Sequence, residues 1–313
     1  MPRTDYEQML QVYQQAGGQP QAFADSDVAH LVIHGNEVVG AHTVPGLRVE
    51  PHPTDTGVRI HMALEQGTRL ERQVHLCFGV LPEKGLQEIE LEVDIEERAA
   101  ASILAHCVFP NATDVTHNMQ ANIRVGAEAS YEYVERHVHS EGGGVHVVPK
   151  AQVAIEEGAR MRTDFDLLQG RVGKIELDYA IRCAAHSSLE MVARINGYGD
   201  DAIRIREAAS LEGEEARAVL KSRVAVRQRA SAEIINELTA SAPGARGHVD
   251  CKEIVQGQAR ANAVPIVTVS HPLAHVTHEA AIGRVDDRQL LTLMARGLSE
   301  DEAVETIIQG LLS

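Results

Sequence analysis

Tryptophan is absent from this chain of 313 residues, and aromatic residues make up only 3% of it. Proteins that bind single-stranded nucleic acid stack its bases on aromatic side chains, so the composition disfavours such a surface. Basic residues are also scarce, because 29 Lys and Arg stand against 45 Asp and Glu and leave a formal net charge of -16. Phosphate binding needs clustered Lys and Arg. We therefore expect no nucleic-acid partner.

Long apolar runs are missing as well, and no stretch reaches the length needed to span a membrane. The chain opens with Thr4-Asp5-Tyr6-Glu7, which predicts a capping box at the start of an amphipathic helix ending at Gly17. A secretion signal would instead combine basic residues with an apolar segment. These features predict a cytoplasmic protein without a membrane partner.

Cysteine is rare and widely spaced, at Cys77, Cys107, Cys183 and Cys251. Zinc ribbons and ferredoxin-type clusters held by one chain need closely spaced thiolates, usually as CxxC pairs, and the sequence has no such pair. A disulfide framework is disfavoured in a large, charged chain without a secretion signal. At 44% hydrophobic and 24% charged residues, the composition is typical of a globular chain with a substantial core.

A short alanine-led pattern recurs every 14 or 15 residues, beginning at Ala216, Ala230, Ala245, Ala259 and Ala274. Such periodic self-similarity is typical of stacked repeats, in which each unit buries its apolar face against its neighbour. The stretches between these segments alternate polar and apolar residues, as half-buried strands do. Gly and Pro punctuate the region, which argues against helices. The pattern predicts a parallel β-helix, with ordinary β-sandwich hairpins as the alternative.

The ends of the chain differ from the repeats. Residues 32–39 contain a hairpin signal at His34-Gly35-Asn36-Glu37, and strand-like alternation returns at residues 73–78 and 88–93. These segments are predicted to form either an antiparallel cap or the first coils. We divide the chain into an N-terminal helix and β cap region (1–100), a β-helix core (101–284) and a C-terminal helical segment (285–313).

The C-terminal segment is predicted to be a helical hairpin. Asp286 can cap a first helix that ends at Gly297. Ser299-Glu300-Asp301-Glu302 is a capping box for a second helix, whose apolar face consists of Ala303, Val304, Ile307, Ile308, Leu311 and Leu312. The hairpin could seal the open end of the β-helix or offer a docking surface, and the pattern leaves both roles open.

The repeat spacing also predicts which side chains meet. If each segment is half a coil, residues 28 or 29 apart lie on adjacent strands roughly 4.8 Å apart. Cys251 then lies near Glu279, and His248 lies beside Thr277, with His278 one residue away. A thiol, a carboxylate and imidazoles suit a soft or borderline metal ion. The alternative is that Cys251 is a buried small hydrophobe and the histidines are surface residues.

Several motifs are shared with a known family. Those of the C-terminal part are Gly247-His248-Val249-Asp250-Cys251-Lys252-Glu253, Ala263-Val264-Pro265, His278-Glu279-Ala280-Ala281-Ile282-Gly283-Arg284 and residues 290–297 with 299–310. Those upstream are His106-Cys107-Val108-Phe109-Pro110, Gly170-Arg171-Val172-Gly173-Lys174 and Gly197-Tyr198-Gly199-Asp200-Asp201. From about residue 100 to the end, the chain resembles the SufB/SufD family of iron-sulfur cluster assembly proteins.

The resemblance implies a right-handed parallel β-helix core followed by helices that dock a SufC-type ABC ATPase. The predicted docking residues are Leu293, Met294, Val304, Ile307 and Ile308. It also implies that two subunits associate through the β-helix, either as a homodimer or as a SufB and SufD pair. The chain lacks the extended N-terminal helical domain and CxxC motif of longer members, which favours a minimal, combined homodimer. Flavin binding is left open.

The resemblance also implies site residues and partners. Cys251 and Glu279 match the cysteine and the glutamate that serve nascent cluster assembly, and His278 or His248 is the nearest match to an interface histidine. We expect a scaffold that holds a transient iron-sulfur cluster, and not an enzyme. Thiolate Cys251, with a lowered pKa, would accept sulfur or bind iron, while Glu279 and a histidine would complete a labile iron site.

A cysteine desulfurase or sulfur carrier would supply the sulfur, and apo-proteins would receive the cluster. One alternative is a SufD-like structural subunit without a cluster of its own. A β-helix carbohydrate enzyme is less favoured. Such an enzyme needs paired carboxylates in an aromatic-lined groove, and this chain has few aromatic residues.

Overall fold

Two long β-sheets lie face to face and form a parallel β-solenoid of about 8 turns, with 57% of the residues in strands. The structure is a computed structural model that describes residues 4–312. Successive strands alternate between the two sheets through most of the chain, so that each turn contributes one strand to each sheet. The predicted fold class, a mainly β chain with a parallel β-helix core and C-terminal helices, is confirmed.

The elements follow one another in a simple order. The N-terminal part contains α1 (Asp5–Gln15), a short 3-10 helix (Pro20–Ala24), β1 (His30–His34), β2 (Glu37–His42), β3 (Leu47–Pro53), β4 (Gly57–Leu64), β5 (Val74–Gly79) and β6 (Lys84–Ile95). The middle contains β7 (Ala100–Phe109), β8 (Asp114–Val125), β9 (Ser130–His139), β10 (Val145–Ile155), β11 (Arg160–Gln169), β12 (Lys174–Cys183) and β13 (Ser188–Gly197). The C-terminal part contains β14 (Ala202–Leu211), β15 (Arg217–Val226), β16 (Ser231–Ala240), β17 (Arg246–Val255), β18 (Arg260–Val269), β19 (His275–Gly283), α2 (Asp287–Met294) and α3 (Glu300–Leu312).

The two sheets differ by one strand. The ten-stranded sheet has the order β19-β17-β15-β13-β11-β9-β7-β5-β1-β2, and the nine-stranded sheet has the order β18-β16-β14-β12-β10-β8-β6-β4-β3. Side chains alternate along each strand between the interior of the coil and the outside. The interior-facing residues form one continuous apolar core that runs from the first turn to the last.

The alanine-led repeats mark the corners of the coil. β15 to β19 each begin one residue after the alanine that opens a predicted segment, and Ala216, Ala230 and Ala245 are fully buried. Partners in adjacent turns lie 29 residues apart in this region, as Ala218 with Gly247 and Ala232 with Ala261. The periodicity in the sequence is therefore the half-turn of the solenoid, as predicted.

The N-terminal end combines both interpretations that the sequence left open. β1 pairs with β2 and β3 pairs with β4 in antiparallel fashion, which gives the predicted hairpin and an antiparallel end. β1 also pairs with β5, and β4 with β6, in parallel fashion, so the coil begins within this region. The predicted Thr4 capping box is present, and α1 ends at Gln15, two residues before Gly17.

Two of the family-like motifs form one corner of the coil. The Asp201 carboxylate accepts hydrogen bonds from the backbone N–H groups of Val172 (3.1 Å), Gly173 (3.0 Å) and Tyr198 (3.0 Å). It also accepts one from Arg171 Nε at 2.9 Å. Gly173 has a φ of +68°, and a Cβ there would lie 2.3 Å from a backbone oxygen of the neighbouring turn. These motifs therefore have a structural explanation in the corner they build.

The C-terminal helical hairpin lies on the flank of the solenoid and not across its end. Asp286 and Ser299 cap the two helices as predicted. Val304 and Ile308 of α3 pack against Ala225, on the outer face of the ten-stranded sheet. The sealing role is therefore wrong, and the terminal turn stays uncovered, with Leu273 70% exposed and Ile282 50% exposed. Within residues 4–312, no helix is long and apolar enough to cross a membrane.

Candidate functional site

The strand register decides which predicted site residues meet. β17 and β19 pair with a 29-residue offset, which places Cys251 opposite Ala280 and Asp250 opposite Glu279. His248 lies beside Thr277 as predicted, with 2.8 Å between His248 Nδ1 and Thr277 Oγ1. The 28-residue offset that paired Cys251 with Glu279 is wrong by one residue, and in a strand one residue reverses the face.

Glu279 therefore lies on the outer face of the sheet. Cys251 is fully buried in the interior core, whereas the Glu279 side chain is 59% exposed and lies 3.6 Å from Lys252 Nζ. Lys252 also contacts Asp250, which pairs with Arg223. Glu279 thus belongs to a ladder of surface ion pairs, and within one chain it does not share a face with Cys251.

His278 is the predicted ligand that shares the face of Cys251. It lies opposite Val249, an interior residue two positions from Cys251, and it is exposed because the terminal turn is uncovered. Diagonal neighbours of this kind on adjacent strands are about 7–8 Å apart. His278 and Cys251 therefore lie near each other at the open end of the coil, while His248 lies on the outer face.

The actual neighbours of Cys251 are polar side chains that the sequence interpretation missed. Asn236 Nδ2 lies 3.6 Å from Cys251 Sγ, and Ser222 is its partner residue in the preceding turn. Ser222 Oγ lies 3.4 Å from Glu253 Oε1. Ser222, Asn236 and Glu253 are at most 2% exposed. Applying the 29-residue offset upstream of Cys251 would have identified Ser222.

Burial disfavours the charged forms of Cys251 and of the acidic side chains around it. Burial raises the pKa of Cys251 to about 11, which is opposite to the lowered pKa predicted for a sulfur acceptor. Burial likewise raises the pKa of Glu253 to about 7 and that of Glu207 to about 8. At neutral pH the Cys251 thiol is protonated in this closed state.

A second buried group lies in the middle turns and was not predicted from the sequence. Cys107 of β7 and Glu135 and His137 of β9 have ligand atoms that all lie within 4.8 Å of one another. His137 Nε2 is 2.6 Å from Glu135 Oε1, and Cys107 Sγ is 3.9 Å from the same oxygen. Burial, with the adjacent Glu135, raises the pKa of Cys107 well above its usual range. The 30-residue offset between Cys107 and His137, which are register partners, is the signal that could have indicated this group.

The predicted docking residues divide into two sets. Val304 and Ile308 are buried against the solenoid, so they anchor α3 instead of facing outward. Leu293 and Ile307 line a shallow groove of about 350 Å³ between the two helices. Met294 is 38% exposed, and Leu291, which was not predicted, is 65% exposed.

The fold and its interior side chains define a parallel β-solenoid protein with thiols, carboxyls and imidazoles inside its coil. The family described as "SUF system FeS cluster assembly, SufBD core domain" matches residues 83–311. An iron-sulfur cluster assembly SufBD family protein of Pyrococcus horikoshii is 33% identical over 98% of this chain and 94% of its own length. Another, from Methanocaldococcus jannaschii, is 30% identical over 97% of this chain and 96% of its own length.

The chain therefore belongs to the SufBD family. A more distant SufBD family protein, from Archaeoglobus fulgidus, is 26% identical over 79% of this chain and 66% of its own length. Membership supports a role in iron-sulfur cluster assembly.

Proposed function

We propose that this chain is a scaffold subunit that holds a nascent iron-sulfur cluster as its cargo and docks a SufC-type ABC ATPase. The observation that carries the proposal is the place of Cys251, a free thiol one turn from the uncovered end of the coil. It is surrounded there by Ser222, Asn236 and Glu253. The chain itself performs no turnover, and the ATPase supplies the energy.

The buried polar residues give Cys251 a way to lose its proton. Ser222 interacts with both the thiol and the Glu253 carboxyl, so its hydroxyl provides a path along which the thiol proton moves to Glu253 as the sulfur attacks. The Cys251 thiolate then attacks the outer sulfur of a donor persulfide, and the donor leaves as its own thiolate. A cysteine desulfurase or a sulfur carrier is the expected donor, and recipient apo-proteins take the finished cluster.

The uncovered turn is the proposed contact between two copies of the chain. Its apolar side chains include Val269 (45% exposed), Leu273 (70%) and Ile282 (50%). β18 and β19 are edge strands with unpaired backbone groups, which a second terminal turn would cover. In such a homodimer two Cys251 thiols and two His278 imidazoles face the interface. A SufB or SufD paralogue could replace the second copy.

The exposed side of the helical hairpin is the proposed ATPase contact. Leu291 and Met294 of α2 are exposed apolar residues, and the groove beside Leu293 and Ile307 continues this surface. ATP binding to the ATPase would shift the dimer from one conformation to another. This requires that the ATP-bound ATPase bind one of the two conformations more tightly than the other. Opening the terminal turn would give sulfur and iron access to Cys251.

Anaerobic reconstitution with iron and sulfide tests the scaffold role. We expect wild type and Cys183→Ser, which alters another fully buried thiol, to form a cluster detected by absorbance and Mössbauer spectra. Cys251→Ser should form none, because the oxygen that replaces sulfur is a poor iron ligand. Normal cluster formation by Cys251→Ser would contradict the assignment and favour the alternative, a SufD-like structural subunit.

A further inference from the structure

Cys107, Glu135 and His137 form a closed group inside the middle turns of the solenoid. All three are at most 1% exposed. β9, which carries two of them, lies four positions from β17 in the ten-stranded sheet, or roughly 19 Å at about 4.8 Å per strand. Phe165 and Leu167 follow Glu135 and His137 in the next turn and separate the group from Cys251 with apolar side chains.

The hydrogen-bond partners determine where the protons of this group lie. His139 Nδ1 is 3.0 Å from the carbonyl oxygen of Arg171 and must donate its proton there. His139 Nε2 is then an acceptor, 3.3 Å from His137 Nδ1, which donates to it. His137 Nε2 is left with a lone pair that points at Glu135 Oε1, 2.6 Å away. Two acceptors face each other at this distance only if a cation, either a proton or a metal ion, lies between them.

Several buried polar atoms around this group have no hydrogen-bond partner among the described residues. Within the described residues, Glu135 Oε2 and both ring nitrogens of the fully buried His117 have no hydrogen-bond partner. The His117 ring centroid is 6.0 Å from that of His137. Buried polar atoms are normally paired, so the unpaired atoms indicate a ligand that belongs among them.

We propose that Cys107, Glu135 and His137 bind one divalent transition-metal ion, separate from the cluster proposed at Cys251. A thiolate, a carboxylate and an imidazole are the mixed donor set that suits Fe²⁺ or Zn²⁺. The ion forms bonds to Cys107 Sγ, Glu135 and His137, and two protons pass to solvent: the one on the Cys107 thiol and the one that lies between Glu135 and His137. No oxidant or reductant is required.

His139 is the positioning residue of this site. A metal-bound histidine typically donates its other ring N–H to a neighbouring acceptor, which sets its tautomer and orientation. The chain from His137 Nδ1 to His139 and on to the Arg171 carbonyl supplies this arrangement without any rearrangement of the coil.

Cobalt titration under anaerobic conditions tests the proposal, because thiolate-bound Co²⁺ absorbs strongly by charge transfer. The experiment uses the full chain with Cys251→Ser, so that its result does not depend on the proposed cluster site. The metal is added to the folded protein and, in parallel, during refolding, since the site is closed. We expect the band to appear at one Co²⁺ per chain and Zn²⁺ to displace it.

Matched variants distinguish the site from adventitious binding. Adding Cys107→Ser should abolish the charge-transfer band, whereas Cys183→Ser and Cys77→Ser, both at buried thiols outside the group, should keep it. Glu135→Gln should weaken binding and retain the band. His139→Gln should retain the band with about 10- to 100-fold weaker binding.

Thermal unfolding gives a second readout. Metal should raise the midpoint of the Cys251→Ser and Cys251→Ser/Cys183→Ser proteins, because only the folded state has the assembled site. It should not raise that of the Cys107→Ser variant. An unchanged band in Cys107→Ser, or no band in any protein under either loading condition, would overturn the proposal.

Discussion

At the scale of a single residue, Glu207 shows that the interior of the coil disfavours an ionised side chain. It is a carboxylic acid at 1% exposure, and one of its oxygens has no hydrogen-bond partner among the described residues. Burial raises its pKa from 4.5 to about 8. The folded protein therefore binds this proton more tightly than the unfolded chain does, and the free energy of unfolding falls as pH rises from 4.5 towards 8.

Glu207→Gln should remove this dependence. The amide cannot ionise, so the variant is expected to unfold with a higher free energy than wild type above pH 8, by ~2–4 kcal/mol. Near pH 5, where Glu207 is protonated in the folded state, the two proteins should differ little. Urea unfolding at both pH values measures the difference, with Glu214→Gln on the surface as the control. Equal pH profiles for wild type and Glu207→Gln would contradict the assignment.

Asp201 shows the opposite case, in which a buried carboxylate is fully used. Asp201→Ala leaves three backbone N–H groups without their acceptor, and loss of a buried, paired carboxylate typically costs about 3–5 kcal/mol. Asp200, which also contacts Arg171 but is exposed, provides the matched control, because Asp200→Ala should have little effect. Urea unfolding measures the loss of stability in the two variants, and the loss should be much larger for Asp201→Ala. Similar losses would mean that the ion pair with Arg171, and not the backbone hydrogen bonds of the corner, stabilises the fold.

At the scale of an element, the two helices of the hairpin differ in how they contact the solenoid. Val304 and Ile308 bury the inner side of α3 against Ala225, and Arg227 Nη1 holds Glu305 at 2.8 Å. α2 has no buried residues. The anchoring helix is therefore α3, and the accessible apolar residues lie mainly on α2.

Charged replacements should separate anchoring from docking. Leu291→Asp is expected to leave the circular dichroism spectrum and thermal midpoint unchanged and to weaken co-purification with the ATPase. Val304→Asp should instead release the hairpin and lower the thermal midpoint, because a charge buried without a partner is costly. Deleting residues 286–313 should abolish co-purification. An ATPase complex that survives the deletion, with the solenoid still folded, would place the contact elsewhere.

The whole molecule is a column with one covered end and one uncovered end. The antiparallel strand pairs β1–β2 and β3–β4 close the N-terminal end, and α1 packs on the outer face of the ten-stranded sheet beside them. The last turn instead exposes interior-facing apolar residues such as Ile282. Coils of this kind need a terminal cap to avoid uncontrolled association. A second copy of the chain would provide that cap.

Light scattering tests this association. Wild type is expected to be a dimer, and Ile282→Asp should shift it to a monomer, because the charge would be buried at the centre of the contact. Leu86→Asp is the control, since Leu86 is an exposed apolar residue, 43% exposed, on an early turn. A wild-type monomer, or a dimer that Ile282→Asp does not change, would contradict the contact.

Much of this architecture could be predicted from the sequence, because a solenoid repeats one local rule. The alanines at the corners predicted the half-turn length, and the caps at Thr4, Asp286 and Ser299 predicted where helices begin. Each of these signals depends on residues close together in the chain. The same locality explains why the hairpin at His34 to Glu37 could be located.

The site could not be predicted as fully, because the repeat spacing left the register between paired strands ambiguous. An offset of 28 or 29 residues changes the turn length little, yet the choice moves Glu279 from the face of Cys251 to the opposite face. Pairing between turns sets that register, and no local signal does. The same pairing brought Cys107 to His137 and Ser222 to Cys251. The sequence thus determined the repeat and its ends, while only the tertiary structure decided which side chains share the interior, because that depends on contacts a full turn apart.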